Sequence, residues 1–355
     1  ETIASGTEAA ARGGFTSVCC MPNTEPVNDT ASVTEYILEQ AQKVGRVNVF
    51  PIGCITQGQR GQELAEIGEL VTAGCVGLSD DGKPVLSAEI MRRAMEYATM
   101  FDIPLLPHCE ELSLSEGGVM HEGRVSTQLG LRGIPSASEA VMVGRDILLS
   151  EYTGARLHIC HVSTLDSIRL IREAKARGVR VSCEATPHHL ILTDEAVRGF
   201  NTNTKMNPPL RSAEDVTALR EALIDGTAEV IATDHAPHAH SEKEMEYDYA
   251  PFGIIGLETA LGLILTEFYH NRLLTLPMIV ERMAASPAKI LKLKHKGTLT
   301  PGVDADITII DPDREWIVEE GELKSKSKNS PFIGWKLKGK AVMTIVAGQV
   351  VWEAP

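Results

Sequence analysis

Short runs of β-branched and other apolar residues alternate with stretches of helical periodicity through the first three hundred positions of the chain. The runs at 15–21, 47–55, 74–79, 103–108, 156–161, 179–185 and 229–233 predict strands. Between them the apolar spacing lengthens to three and four, which predicts helices such as 30–44, ended by Gly45, and 165–177, ended by Gly178 as a left-handed cap. A further helical pattern occupies the first positions and closes at Gly13 and Gly14. Strands that alternate with helices in this way predict βαβ units and a parallel sheet.

After Leu293 the texture changes to short strand signals separated by turns, at 305–310, 335–337 and 341–352, with Asp311, Pro312 and Asp313 expected to form a turn. The expected organisation is therefore a larger α/β unit over 1–293 and a small β domain over 294–355. The polar run 324–330, in which lysine alternates with serine and no aromatic residue appears, is expected to be a solvated loop and nothing more. No glycine-rich phosphate loop follows any strand, so an open dinucleotide-binding sheet is disfavoured and a (β/α)8 barrel is preferred. Seven strands preceded by a helix make a barrel that lacks its first strand. The expectation is that this strand lies upstream of Glu1 and that the chain is truncated.

Composition narrows the class of partner. Among 355 residues, 34 are basic and 48 acidic, a net charge of −14, which argues against a nucleic-acid or anionic-lipid surface and favours a small-molecule substrate. No apolar run approaches the roughly 18 residues that a membrane span requires, the longest being interrupted by Glu258. The seven cysteines are odd in number, lack C-x-x-C spacing and mostly sit in apolar runs, so they are expected to be reduced core thiols. With no secretory signal pattern, a cytoplasmic protein is expected.

Hard ligands fall where the predicted strands end. Asp80 and Asp81 follow the third strand, His108 and Glu110 the fourth, His158 and His161 the fifth, and Asp234, His235 and His238 the seventh. Four strands would thus deliver imidazole or carboxylate to one rim, a donor set that suits a borderline divalent ion such as Zn²⁺. Strand parity places His161 on the face of Leu157 and Ile159, opposite His158 and Cys160, and its position nearer the strand end makes it the better ligand. Chemistry alone does not separate Asp80 from Asp81. Each residue by itself has an ordinary structural role to compete with, since Asp-Asp-Gly is commonly a turn and a lone buried histidine is commonly a hydrogen-bonded core residue. Pro187, His188 and His189 are given only the role of a polar cap. The convergence of four strand ends carries the inference.

The chain resembles the class I dihydroorotases of the amidohydrolase superfamily through Met21-Pro22-Asn23-Thr24, Ser79 to Gly82, Pro107 to Glu110, Thr186 to Leu190, Asn207 to Arg211, Thr233 to His238, Ala250 to Glu258 and Gly297 to Asp306. The resemblance implies a distorted (β/α)8 barrel with a composite β-sandwich portion. It also implies one or two Zn²⁺ ions held by Asp81, His108, His161 and Asp234, with Asp234 as catalytic base and acid. Asn23, Asn207, His238 and the backbone near Gly253 are implied to contact the substrate.

The implied activity is reversible cyclisation of N-carbamoyl-L-aspartate to L-dihydroorotate in pyrimidine synthesis, by a homodimer or in partnership with aspartate transcarbamoylase. The family's His-x-His-x-Arg stretch is absent from the sequence, whose two histidines bind metal and whose arginine holds the substrate carboxylate in relatives. Two alternatives stand beside this function. One is a hydantoinase or allantoinase, although those relatives use a carbamylated lysine as metal bridge and the nearest lysine, Lys83, falls beyond the Asp-Asp-Gly turn. The other is a silent subunit that scaffolds the transcarbamoylase.

Overall fold

The computed structural model describes all residues, 1–355. Each of the seven predicted strands is a stave of one parallel arc. The strands β1 (Ser17–Cys20), β2 (Asn48–Gly53) and β3 (Gly77–Leu78) pair in that order, with Ser17 opposite Asn48 and Ile52 opposite Gly77. A stave through Leu105 bridges Leu78 on one side and Leu157 on the other. A small parallel ribbon, β4 (Met120–His121) with β5 (Gly133–Ile134), projects between that stave and β6 (Leu157–Ile159). The arc then continues through β7 (Val181–Ala185) to β8 (Val230–Ile231). The outer edges of β1 and β8 carry no ladder partner.

The helices predicted between strands form where the sequence caps them. The first spans Ile3–Gly13, with Thr2 accepting from the Ser5 backbone N–H and Gly14 left-handed at φ 88°. The helix Leu165–Ala176 is capped by Thr164 and followed by Gly178 at φ 83°. Leu157, Ile159, Val181, Cys183 and Ala185 point outward from the staves into one core shared with the helices, whereas Ser182 and Glu184 alternate to the inside. No helix is long and apolar enough to cross a membrane.

The C-terminal strands β9 (Ile307–Ile317), β10 (Lys336–Val346) and β11 (Gln349–Glu353) form an antiparallel sheet in the order β11-β10-β9. It docks on the first helix, where Thr344 Oγ1 donates to the Ala11 carbonyl and Thr308 Oγ1 to that of Gly14, both at 2.7 Å. It also docks on the helix Ala260–Ile264 and the turn after it. There Gly339 is required, because its φ is 103° and a Cβ would lie 2.4 Å from Leu265 Cδ1.

Three expectations need correction. Asp311 to Asp313 does not end a strand: Asp311 Oδ1 accepts from the Asp313 and Arg314 backbone N–H groups, a local turn absorbed as a bulge within β9. Of the seven free cysteines, five are buried, but Cys19 is exposed and Cys20 half-buried, because β1 is an edge of the arc. The run 324–330 is not merely solvated. Ser325, Asn329 and Ser330 are buried, and the Glu258 carboxylate, paired with Arg12 at 2.8 Å, accepts from the backbone N–H groups of Lys324 and Ser325. A buried carboxylate recruits main-chain donors where composition suggested only water.

Candidate active site

Asp81, His108 and His161 converge at the C-terminal ends of three staves, with one ligand atom from each lying within 4.8 Å of the others. His108 Nδ1 and His161 Nε2 are 3.1 Å apart, and His161 Nε2 is 3.6 Å from Asp81 Oδ1. Strand parity does not produce this arrangement. β6 ends at Ile159, and on its alternation His161 would face outward with Leu157 and Ile159. Instead the backbone at His161 turns left-handed, φ 35°, and the imidazole meets His108. Asp234 does the same beyond β8, at φ 44°. Such a conformation in a residue with a Cβ costs roughly 1–3 kcal/mol and is concentrated at functional sites.

The two adjacent aspartates have separate duties. Asp80 is buried, and its Oδ1 accepts from the backbone N–H groups of Ile55 at 2.8 Å and Thr56 at 3.1 Å, while the Thr56 hydroxyl donates to its Oδ2. It ties the end of β2 to the end of β3. Asp81 turns the other way, to His161 and to Asn23, whose Nδ2 donates to Asp81 Oδ2 at 3.2 Å. An Asp80→Ala variant leaves two buried donors of Thr56 unpaired and the Ile55 N–H with only the Ser79 carbonyl at 3.3 Å. It is expected to lose about 3 kcal/mol of stability in denaturant unfolding with bound metal unchanged, whereas Asp81→Ala loses metal and keeps most of its stability.

Glu110, placed by the sequence at the end of the fourth strand but outside the implied ligand set, has a definite role here. Its Oε2 is 2.9 Å from His108 Nε2 and accepts from Asn207 Nδ2 at 2.9 Å. Burial would raise the Glu110 pKa, but the bond to His108 prevails and holds it at about 2. An anionic carboxylate at Nε2 fixes the proton there and leaves the His108 Nδ1 lone pair facing His161. The spacing of 108 and 110, two apart at a strand end, was the signal available for it. Glu184 acts similarly deeper in the arc, accepting from His158 Nε2 at 3.0 Å and from the His161 backbone N–H at 3.3 Å. His158 is thereby consumed by Glu184 and Ser182.

Asn207 is set in place from behind. His189 Nε2 donates to the Pro208 carbonyl at 2.8 Å while its Nδ1 accepts from Thr186 Oγ1, so the Pro187-His188-His189 turn supports the loop bearing Asn207. Buried Arg211 donates to Ser163 Oγ at 3.0 Å and to the Ile134 carbonyl at 2.8 Å. Glu139 accepts from the Ser163 and Thr164 backbones, which fixes the turn just after His161.

Asp234 lies outside the 4.8 Å trio. Its Oδ2 is buried without a hydrogen-bond partner. Burial, with the neighbouring carboxylates of Asp81 and Glu184 outweighing the attraction of His161, pushes its pKa up to about 7. Burial would lower the His161 pKa, but the bond to Asp81 and the charge of Asp234 push it up to about 9. His238 and Gly253 meet each other on the adjoining loops. His238 Nε2 donates to the Phe252 carbonyl at 2.7 Å, and a Cβ on Gly253, φ 153°, would lie 2.6 Å from His238 Cδ2. Only glycine permits that approach.

The donor set fits a divalent cation. With the His108 proton held by Glu110, His108 Nδ1, His161 Nε2 and a carboxylate oxygen point at one small volume that calls for positive charge, a proton on His161 or a metal ion in its place. The orphaned Asp234 Oδ2 is a further anionic donor beside it. Lys83 is exposed and its side chain takes no part.

Comparison with known proteins agrees with this chemistry. A family model described as dihydro-orotase-like matches residues 1–167, and one for the amidohydrolase family matches residues 151–352. A dihydroorotase from Geobacter metallireducens is 58% identical over 99% of this chain and 83% of its own length. One from Pelotomaculum thermopropionicum is 59% identical over 99% of this chain and 82% of its own. Among solved structures, an L-hydantoinase (dihydropyrimidinase) from Arthrobacter aurescens superimposes with a TM-score of 0.89 at 29% identity, covering 99% of this chain and 80% of that one.

Proposed function

The chain belongs to the dihydroorotase family of amidohydrolases, and we propose that its strand-end cluster catalyses the reversible opening of L-dihydroorotate to N-carbamoyl-L-aspartate, run toward closure in pyrimidine synthesis. It is a metal-dependent cyclic amidohydrolase. The observation that carries the assignment of the site is the meeting of His108 Nδ1, His161 Nε2 and Asp81 Oδ1, with the His108 Nε2 proton held by Glu110.

Asp81, His108, His161 and Asp234 would hold the ion, and imidazole with carboxylate favours Zn²⁺, one or two ions. When bound, the metal polarises the ring carbonyl and acidifies water at neutral pH. Asp234 takes the proton of the attacking water on its free Oδ2 as the new C–O bond forms, and returns it to the ring nitrogen as the C–N bond breaks. Glu110 holds His108 in one tautomer throughout. Asn23 and Asn207 stand beside the cluster as amide donors to a substrate carboxylate, and His238 with the Gly253 backbone closes the far side.

In this scheme the arc belongs to a (β/α)8-type barrel over 1–293, and 294–355 contribute to a β-sandwich. The enzyme would work in the cytoplasm as a homodimer or beside an aspartate transcarbamoylase.

The hydantoinase alternative has the Arthrobacter aurescens likeness in its favour, but a carboxylate at Asp81 and an exposed Lys83 remove the need for a modified lysine. A substrate panel on the metal-loaded enzyme decides. Dihydroorotate should be opened with kcat/KM at least about 100-fold above hydantoin and allantoin, since a site built to pair a substrate's polar groups rejects analogues lacking them by large factors. Turnover of hydantoin without turnover of dihydroorotate would remove dihydroorotase activity from this site.

A further inference from the structure

The run 324–330 is fixed at both ends, with Ser325, Asn329 and Ser330 buried, although it lies outside the arc that holds the metal cluster. At one end Glu258, itself paired with Arg12, accepts from the Lys324 and Ser325 backbones, and Lys328 Nζ donates to the Leu323 and Ser325 carbonyls at 2.6 and 2.7 Å. At the other end Phe332 is buried among Ile255, Leu263 and Leu337. Between them Asn329 is 3% exposed and satisfies its whole side chain on two loops. Its Nδ2 donates to the Ala236 carbonyl at 2.9 Å and to the Gly253 carbonyl at 3.0 Å, and its Oδ1 accepts from the His238 backbone N–H at 3.3 Å. Its own carbonyl accepts from the Ile255 N–H at 3.1 Å.

These four bonds join the segment bearing His238 to the segment bearing Gly253. Each loop alone leaves a carbonyl that the other cannot satisfy, and a planar amide with two N–H donors and one acceptor matches the three groups presented. A carboxylate of the same shape supplies neither donor.

We propose that Asn329 is a positioning residue for substrate binding, acting from the C-terminal portion of the chain to hold His238 and the Gly253 backbone at the spacing the substrate requires. This rests on the assignment of His238 and Gly253 to the substrate, and deepens it by naming what sets their geometry. Asn329 touches neither the metal cluster nor Asp234, so its effect belongs in binding.

The test is steady-state kinetics and metal content of the metal-loaded enzyme carrying Asn329→Ala, Asn329→Asp, His238→Ala, or His238→Ala with Asn329→Ala. Asn329→Ala should raise KM for L-dihydroorotate about tenfold with kcat within about threefold and metal content unchanged. Asn329→Asp should raise KM further, because its carboxylate faces two carbonyl oxygens. In the His238→Ala background, Asn329→Ala should add less than it does alone, since one of its two routes to the substrate is cut and only the Gly253 backbone remains. A raised KM in His238→Ala with no change in Asn329→Ala overturns the positioning role and leaves His238 in place. Silence in both variants overturns the substrate assignment and the positioning role with it. Independent, multiplying effects in the double variant, or failure of both Asn329 variants to fold, would assign Asn329 to stability alone.

Discussion

Asp234→Asn is expected to lower kcat for dihydroorotate by about 10² to 10⁴, the range for removing a general acid–base group, with KM changed far less. Asparagine keeps the shape of the side chain and the left-handed backbone at that position, so packing is preserved. What it loses is a site for the travelling proton. Asp234 Oδ2 is the atom in question, buried and without a hydrogen-bond partner in the chain, which leaves it free for a proton or a ligand. In the metal-free protein burial together with Asp81 and Glu184 brings its pKa up to about 7, so this carboxylate is a group that readily takes up a proton. The variant should still bind metal, because Asp81, His108 and His161 are untouched. Metal analysis alongside single-turnover kinetics therefore separates loss of proton transfer from loss of the ion. A kcat within tenfold of the parent would remove Asp234 from the proton path.

The staves were legible because each is a short β-rich run bounded by turn residues, and each lies where that pattern put it, from Ser17–Cys20 to Val230–Ile231. The strand ends were legible for the same reason, since the residue that follows a parallel stave lies at one mouth. Which residue turns inward was not. Parity holds only while the ladder lasts, and His161 and Asp234 lie beyond it in left-handed backbone that no side-chain pattern announces. Asp80 and Asp81 have the same chemistry, and only the partners reaching from Ile55 and Thr56 distinguish them. Glu110 and Asn329 were missed for opposite reasons. Glu110 was overshadowed by the histidine it serves. Asn329 sits in a run whose composition suits water, and its burial arises from contacts with loops about 75 and 90 residues away in sequence. Local pattern carries no information about those partners until the chain is folded.

The trio makes the second large expectation, and it concerns the ion directly. With Glu110 holding the Nε2 proton of His108, the lone pairs of His108 Nδ1 and His161 Nε2 face each other at 3.1 Å, so some cation must lie between them and Asp81. In the metal-free protein that cation is a proton, and His161 is accordingly a strong base, its pKa about 9 despite its burial. Metal entry must expel this proton. Below about pH 9 affinity should therefore fall as pH falls, by up to tenfold per unit for one displaced proton, and calorimetry in buffers of different ionisation enthalpy should register its release. Prolonged dialysis against a chelator should abolish turnover, and added zinc should restore it. His161→Ala removes both a ligand and the expelled proton. It should lose metal under the same dialysis within the time the parent keeps it, bind zinc at least about 100-fold more weakly, and lose the steep pH dependence of binding together with activity. Zinc binding by His161→Ala with the parent's affinity and proton release would show that the ion is held elsewhere.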